Sequence, residues 1–430
     1  MKKVFVCHLN DNDTFQVAGA EQIPLHTKEK CSYTLWTNRK RHLNMIPNFF
    51  ALEAVDLLYI SLMVFSADRR ILRRSQPDAW TRSFSIYMPV LCFEKWNANK
   101  ELLESMLHFL TGDYWQFNFR ERQLNEYETL RSNLMGKSKQ TLAASDFCML
   151  SGGLDSFIGA TDLLTNGKKP IFVGNYNGGK GVSVYQNKVI NLLSDHFGYD
   201  VNRFFQFYAS PKKGKEDTTR SRSLMFFSHA ILLASGMVNP VTLYVPENGV
   251  ISLNIPLTIH RSGSLSTRTT HPYFMSMLQQ LLNNLELPIT IINPYQFKTK
   301  GEMVRDCLDR TFLENNIQWT MSCSHPDLGR YSGETEPSHC GCCLPCTIRR
   351  AAIKFAGIND ASTYRDINYS TPEHRINLKS YRLGLKYYHE HQVSPLMAIQ
   401  LSGRIAERHQ DFADLYVRGM EELANFIESL

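Results

Sequence analysis

The amino-acid sequence predicts an α/β protein built around a doubly wound parallel sheet, with an N-terminal α+β domain, a metal-binding segment and a C-terminal helical region. Three observations lead there. From Phe147 onward, short apolar runs alternate with Gly-rich or polar loops and helical stretches, as expected of strands covered on both faces by helices. A Gly-Gly turn joins the first of these strands to its helix. Five of the ten cysteines fall between Cys323 and Cys346, a clustering that indicates a metal site and not a disulfide scaffold.

A chain of 430 residues exceeds one ordinary core, so two or three cooperating units are expected. Its composition, 43% hydrophobic and 20% charged, excludes disordered and fibrous classes. The net charge of +6 suits anionic ligands but is too small to indicate nucleic-acid binding. The apolar stretch near the first residue is too short for a secretion signal, and no apolar run is long enough to cross a bilayer. A cytoplasmic protein with no membrane partner is the expectation.

Residues 1–120 alternate strand-like runs (3–7, 58–65, 84–90) with helical ones (49–57, 100–110), the basis for the separate α+β domain. Within it Arg69, Arg70, Arg73 and Arg74 read as a solvated face. The polar stretch 121–140 reads as a linker. The central domain, 141–315, should have strands at 147–150, 171–173, 204–207, 241–245 and 289–292. Its helices should lie at 157–164, 184–197, 224–235 and 273–283. A metal-binding segment follows at 316–357. In the remaining region, 358–430, Phe412, Leu415, Tyr416, Met420, Leu423, Phe426 and Ile427 recur at helical spacing and predict an amphipathic helix that packs on the core.

Ser151-Gly152-Gly153-Leu154-Asp155-Ser156 lies between the strand at 147–150 and the following helix. The glycines permit a tight bend and close approach of a ligand. Serine hydroxyls and the free N–H groups of the helix start then make a cradle for phosphate oxygens. Asp155 repels a bare phosphate, so its expected partner is Mg2+. The loop lacks the lysine of the common GxxxxGK[ST] phosphate loop. It resembles instead the PP-loop of the ATP pyrophosphatases, which implies cleavage of ATP between the α and β phosphates and a sheet of the adenine nucleotide alpha hydrolase-like type.

The cysteines follow the pattern C-x16-C-G-x-C-x2-C when Cys342 is set aside. Cys340, Cys343 and Cys346 on a tight turn, with Cys323 arriving from upstream, suit tetrahedral thiolate coordination of structural Zn2+. Cys342 is an alternative ligand, as are His325 and His339, and an iron–sulfur cluster uses the same residue type.

SGGLDS with the downstream cysteines is similar to the QueC family, the 7-cyano-7-deazaguanine synthases, over roughly residues 147–353. The resemblance implies ATP binding by Ser151 to Ser156 and Asn175, where the family has aspartate. It implies catalytic roles for Asp155, Lys300 and Arg222, although Ser223 stands where the family has asparagine. Lys300, in the first turn of its helix, is unfavourable against the helix dipole unless an anion is near. Substrate contacts are implied more loosely for Glu247, Asn248, Arg261 and Arg268. The long N-terminal region and the wording Thr218-Thr219-Arg220-Ser221-Arg222-Ser223 look more like QatC, the QueC-related component of Qat anti-phage defence operons. That implies adenylation of 7-carboxy-7-deazaguanine, then amide formation with ammonia or with an amine of an operon-encoded partner protein. Free nitrile synthesis, a catalytically silent sensor or assembly subunit, and a tRNA-modifying relative are the alternatives. No nucleic-acid partner is expected.

Overall fold

The computed structural model describes residues 2–26, 31–33, 43–176, 180–212, 214–217, 220–255, 268–390 and 393–430. In chain order the first elements are β1 (Lys3–His8), β2 (Glu21–Pro24), β3 (Cys31–Tyr33), α1 (Leu52–Asp68), β4 (Ser83–Val90), α2 (Phe93–Ala98), α3 (Lys100–Thr111), β5 (Tyr114–Glu121) and α4 (Glu126–Leu134). They form a four-stranded sheet, ordered β2-β1-β4-β5, in which every pair is parallel. The N-terminal part is therefore α/β in character, where α+β was expected. Each parallel return needs a crossover, and α1 and the α2–α3 pair supply those leading into β4 and β5.

Residues 49–57 and 58–65, read as a helix followed by a strand, are one helix. Of the 17 residues of α1, all but Leu52 and Glu53 are buried, so its sequence carries no polar face to reveal the helical period. The linker reading of 121–140 also changes: α4 starts there, held by a capping box between Asn125 and Glu128. Arg73 is no solvated residue. It is buried and pairs with Asp113 through both terminal nitrogens, at 3.1 and 2.8 Å. Arg82 joins the same carboxylate and Asp68, while Arg70 pairs with Glu21 and Arg69 with Asp217.

The second sheet contains β6 (Asp146–Met149), β7 (Ile171–Tyr176), β8 (Phe204–Pro211), β9 (Val241–Tyr244) and β10 (Ile289–Ile292). Its order is β10-β9-β6-β7-β8-β3, parallel throughout except for the antiparallel edge strand β3. The helices between these strands are α5 (Leu154–Thr165), α6 (Lys180–Phe197), α7 (Arg222–Ser235), α8 (Gly249–Leu253) and α9 (Pro272–Asn284). After β10 come α10 (Lys300–Arg305), α11 (Arg310–Asn316), α12 (Leu344–Phe355), α13 (Pro372–Glu390), α14 (Pro395–Ala398) and α15 (His409–Glu428).

Two apolar layers cover the sheet. On one side α7 and α9 pack on the strands and are capped in turn by α1 and α3, so that Phe5, Leu62, Phe147, Phe205, Phe227 and Leu281 belong to one continuous core. On the other, Phe157, Val189, Leu193, Met303 and Ile353 bring α5, α6, α10 and α12 together. The chain runs outward from β6 through β7 and β8, then crosses to β9 on the other flank of β6. This reversal opens a crevice at the carboxyl ends of β6 and β9. Among the described residues, no helix is long and apolar enough to cross a membrane.

Candidate nucleotide cleft and metal centre

The loop after β6 enters the crevice. Gly152 takes φ +83°, and a Cβ there would stand 2.9 Å from the backbone nitrogen of Gln186, so a side chain is excluded by conformation and by space. The loop is curled by its own serines. The Gly153 N–H donates to Ser151 Oγ at 3.2 Å, the Ser156 hydroxyl donates to the Gly153 carbonyl at 3.0 Å, and the two hydroxyl oxygens lie 3.1 Å apart. Gly153 is the N-cap of α5 and no side chain caps that helix start, leaving its dipole facing the crevice.

Two other segments close on this loop. Asp155, in the first turn of α5, forms an ion pair with Lys300. Its second carboxylate oxygen accepts from the side-chain amide of Asn248 at 2.7 Å and from the Asn248 backbone at 3.2 Å. Lys300 comes from the first turn of α10, where Thr299 and Glu302 form a capping box. Asp155 and Lys300, together with Ser151, Gly153 and Glu247, line a cavity of about 190 Å³. That is below the ~300–1,000 Å³ of complete small-molecule pockets, a size for the charged end of a ligand and not for the whole of one.

The electrostatics of the cavity are set by two carboxyl groups and one ammonium. Burial alone would raise the pKa of Asp155, but the charge of Lys300 and hydrogen bonds from Glu247, Lys300 and Asn248 lower it to about 2. Glu247 moves the other way: burial, and then the negative charge of Asp155, raise it well above its ordinary value, against a smaller pull from Lys300. The pair thus favours the negative charge on Asp155 and the proton on Glu247. Folding takes up that proton once the pH exceeds the unfolded value near 4.5, so Glu247 costs stability as pH rises from there towards its folded pKa, at up to about 1.4 kcal/mol per pH unit. Glu247→Gln is expected to flatten this slope and to unfold at a higher temperature than the parent at pH 8 but not at pH 4. Equal pH profiles in a thermal melt would show that Glu247 is not neutral in the fold.

The expectation of a four-cysteine metal site is met by geometry. The sulfurs of Cys323, Cys340, Cys343 and Cys346 all lie within 4.8 Å of one another, with Cys323–Cys343 at 4.0 Å and Cys340–Cys346 at 3.9 Å. A zinc–sulfur tetrahedron with bonds of about 2.3 Å has edges of about 3.8 Å. The donor set fits zinc and offers no open position. Backbone N–H groups of His325 and Cys340 donate to Cys323 Sγ at 3.3 Å, and that of Cys343 to Cys340 Sγ at 3.3 Å, bonds that favour thiolate. The fifth thiol, Cys342, turns away and donates to the Asp366 carbonyl at 2.9 Å. His339 lies beside Cys346, at 3.8 Å, while its other ring nitrogen contacts the Thr320 carbonyl.

This segment also builds the cleft. The Met321 N–H donates to the Gly152 carbonyl at 2.9 Å, and Met321, Ser322, Pro345 and Ile348 form one wall of the cavity. Sequence reasoning missed that wall, because nothing in the apolar Met321 or Pro345 marks them as lining residues.

The remaining expected residues are dispersed. Asn248 works within the protein, its side-chain oxygen capping α8 through Ile251 N at 3.0 Å while its amide holds Asp155. Asn175, at the end of β7, has a buried side-chain oxygen without a hydrogen-bond partner among the described residues. Arg222 lies 5.3 Å over the Phe226 ring, where burial and the charge of Arg69 lower its pKa; it is not among the cavity-lining residues. Arg268 donates to the Phe109 carbonyl at 2.8 Å and covers that ring. Arg261 lies outside the described residues. No model of a known protein family matches the chain, and no curated protein matches it in sequence.

Proposed function

We propose that the protein activates a carboxylate by adenylation, binding ATP at the PP-loop-like turn and releasing pyrophosphate and AMP in a QueC-like reaction. The observation that carries this reading is the convergence of the Ser151–Gly153 turn, Asp155, Glu247 and Lys300 on one cavity at the switch point of the sheet. A carboxylate is a poor acyl donor because its leaving group is oxide; transfer to AMP supplies a good one. The substrate in this reading is 7-carboxy-7-deazaguanine, and the amine that displaces AMP is ammonia or an amine of a partner protein encoded in the same operon, in anti-phage defence.

The chain's own residues supply positioning and charge. The uncapped start of α5 and the serine hydroxyls hold phosphate oxygens. Lys300 is the cation placed to stabilise charge on the departing pyrophosphate. Asp155, with Glu247 once deprotonated, would hold Mg2+, which when bound screens the phosphate charges. The small cavity accepts the phosphates, and Asn175 offers a hydrogen-bond acceptor at the adjoining strand end.

A second reading, a silent nucleotide-binding subunit, is favoured by one observation: Arg222 is not among the residues that line the cavity. The two readings separate on incubation with ATP, Mg2+, ammonium and the carboxy-deazaguanine. The expected result is AMP and pyrophosphate in equal amounts, with mass spectrometry of the product distinguishing amide from nitrile. ATP binding with no AMP from any amine, partner proteins included, would leave only the silent reading.

A further inference from the structure

The C-terminal helix α15 contacts the machinery from behind, through a pair of side chains one turn apart. Glu422 is buried in the apolar stripe of that helix, and its carboxylate accepts from the Thr299 hydroxyl at 2.6 Å and from the Gly301 N–H at 3.1 Å. Arg418 donates to Glu302 at 2.7 Å and to the Phe297 carbonyl at 2.8 Å. Together they grip residues on both sides of Lys300, whose own side chain pairs with Asp155. A Cβ on Gly301 would meet Glu422 Oε2 at 2.4 Å, so the approach is close. The same helix packs on α8, which follows Glu247 and Asn248: Leu415 lies against Gly249, and Gly419 against Val250.

We propose that Glu422 is a positioning residue for Lys300, so that the C-terminal helix completes the cavity. The physical case has two parts. A helix N-terminus has free N–H groups to satisfy, and at α10 Glu422, whose pKa burial raises to about 7, accepts from the Gly301 N–H and from the Thr299 hydroxyl, so the segment that carries Lys300 is fixed by hydrogen bonds. Lys300 sits in the first turn, where its own charge opposes the dipole, and Glu422 in its charged form offsets part of that cost. The dependence of ATP chemistry on this contact rests on the adenylation reading; the contact's hold on Lys300 does not.

Two measurements therefore separate the claims. In thermal unfolding of Lys300→Met, Asp155→Asn and the double variant, the non-additivity reports the coupling of Lys300 to Asp155. It is expected to shrink sharply in a Glu422→Ala background and to return in Glu422→Gln, whose amide oxygen still accepts. Unchanged coupling in Glu422→Ala overturns the proposal whatever the activity. In AMP release, Glu422→Ala is expected to lower kcat by about 10²-fold, the size of a 1 Å misplacement, and to add nothing in the Lys300→Met background. An equal loss in both backgrounds would assign Glu422 a general structural role and overturn the proposal. No AMP from the parent protein would remove the adenylation reading and leave the coupling test standing. Where Glu422→Ala does not fold, Arg418→Ala samples the same clamp from its solvent-facing side, with a smaller loss of coupling expected and no loss counting against the proposal.

Discussion

Cys343→Ser is expected to strip the metal from the four-cysteine cluster and to destabilise the protein more than any surface substitution. Elemental analysis of the parent should find about one zinc per chain, and the variant should have lost it. Metal binding at such sites is worth on the order of 10 kcal/mol and is folding free energy, because only the folded chain brings the four sulfurs within 4.8 Å of one another. The damage should reach the cleft, since the Met321–Gly152 hydrogen bond and the wall formed by Pro345 and Ile348 depend on the segment that the cluster fixes. A Cys343→Ser protein with parental melting temperature, or a parent free of metal after chelator-free purification, would reduce the cluster to packed thiols. Cys342→Ser serves as the contrast: its sulfur is bonded to Asp366, so zinc content should stay unchanged.

Lys300→Met should have the second large effect, in two separable ways. Asp155 would remain buried with its ion pair gone, and breaking a buried pair from one side costs about 3–5 kcal/mol. Adding Asp155→Asn should recover much of that stability, because the orphaned charge is then absent. Neither the single nor the double variant should release AMP at more than about a hundredth to a thousandth of the parental rate. The pH dependence has a definite sign. With its pKa lowered from 3.8 to about 2, Asp155 contributes stability in full above the unfolded value, and this is lost as the pH falls through about 2. Acid unfolding of Lys300→Met should therefore begin at higher pH than that of the parent. Parental stability in Lys300→Met would mean that the ion pair with Asp155 adds nothing to the fold.

The parts of this structure that were legible in the sequence share a cause. Strands β6, β7 and β9 are short apolar runs bounded by Gly, Pro or polar loops, and a strand covered on both faces leaves that signature whatever its neighbours are. The metal cysteines were legible because ligand spacing is local. Elements that failed to declare themselves depend on distant partners. Helix α1 looked like a helix and a strand because it is sheathed on every side. Arg73 looked solvated because Asp113, its partner, is 40 residues away. In the cavity, SGGLDS and Lys300 were found from motif and helix position, whereas the raised pKa of Glu247 arises only when folding buries it and places Asp155 beside it. Glu422 left one usable trace: it sits on the same stripe as Leu415 and Phe426, a carboxylate where the helical period calls for an apolar side chain.

The unbroken apolar layer joining the two sheets constrains how this chain can be cut and how it folds. A fragment starting after residue 140 would carry α7 and α9 with their outer faces stripped of α1 and α3, offering water a wide greasy surface that invites self-association. Because α1 meets α7 across more than a hundred intervening residues, that layer closes late, after much of the polypeptide has been synthesised and searched, and topologies of this kind fold slowly. The N-terminal third is in this sense a lid on the core of the six-stranded sheet, and melting should register both sheets in a single transition.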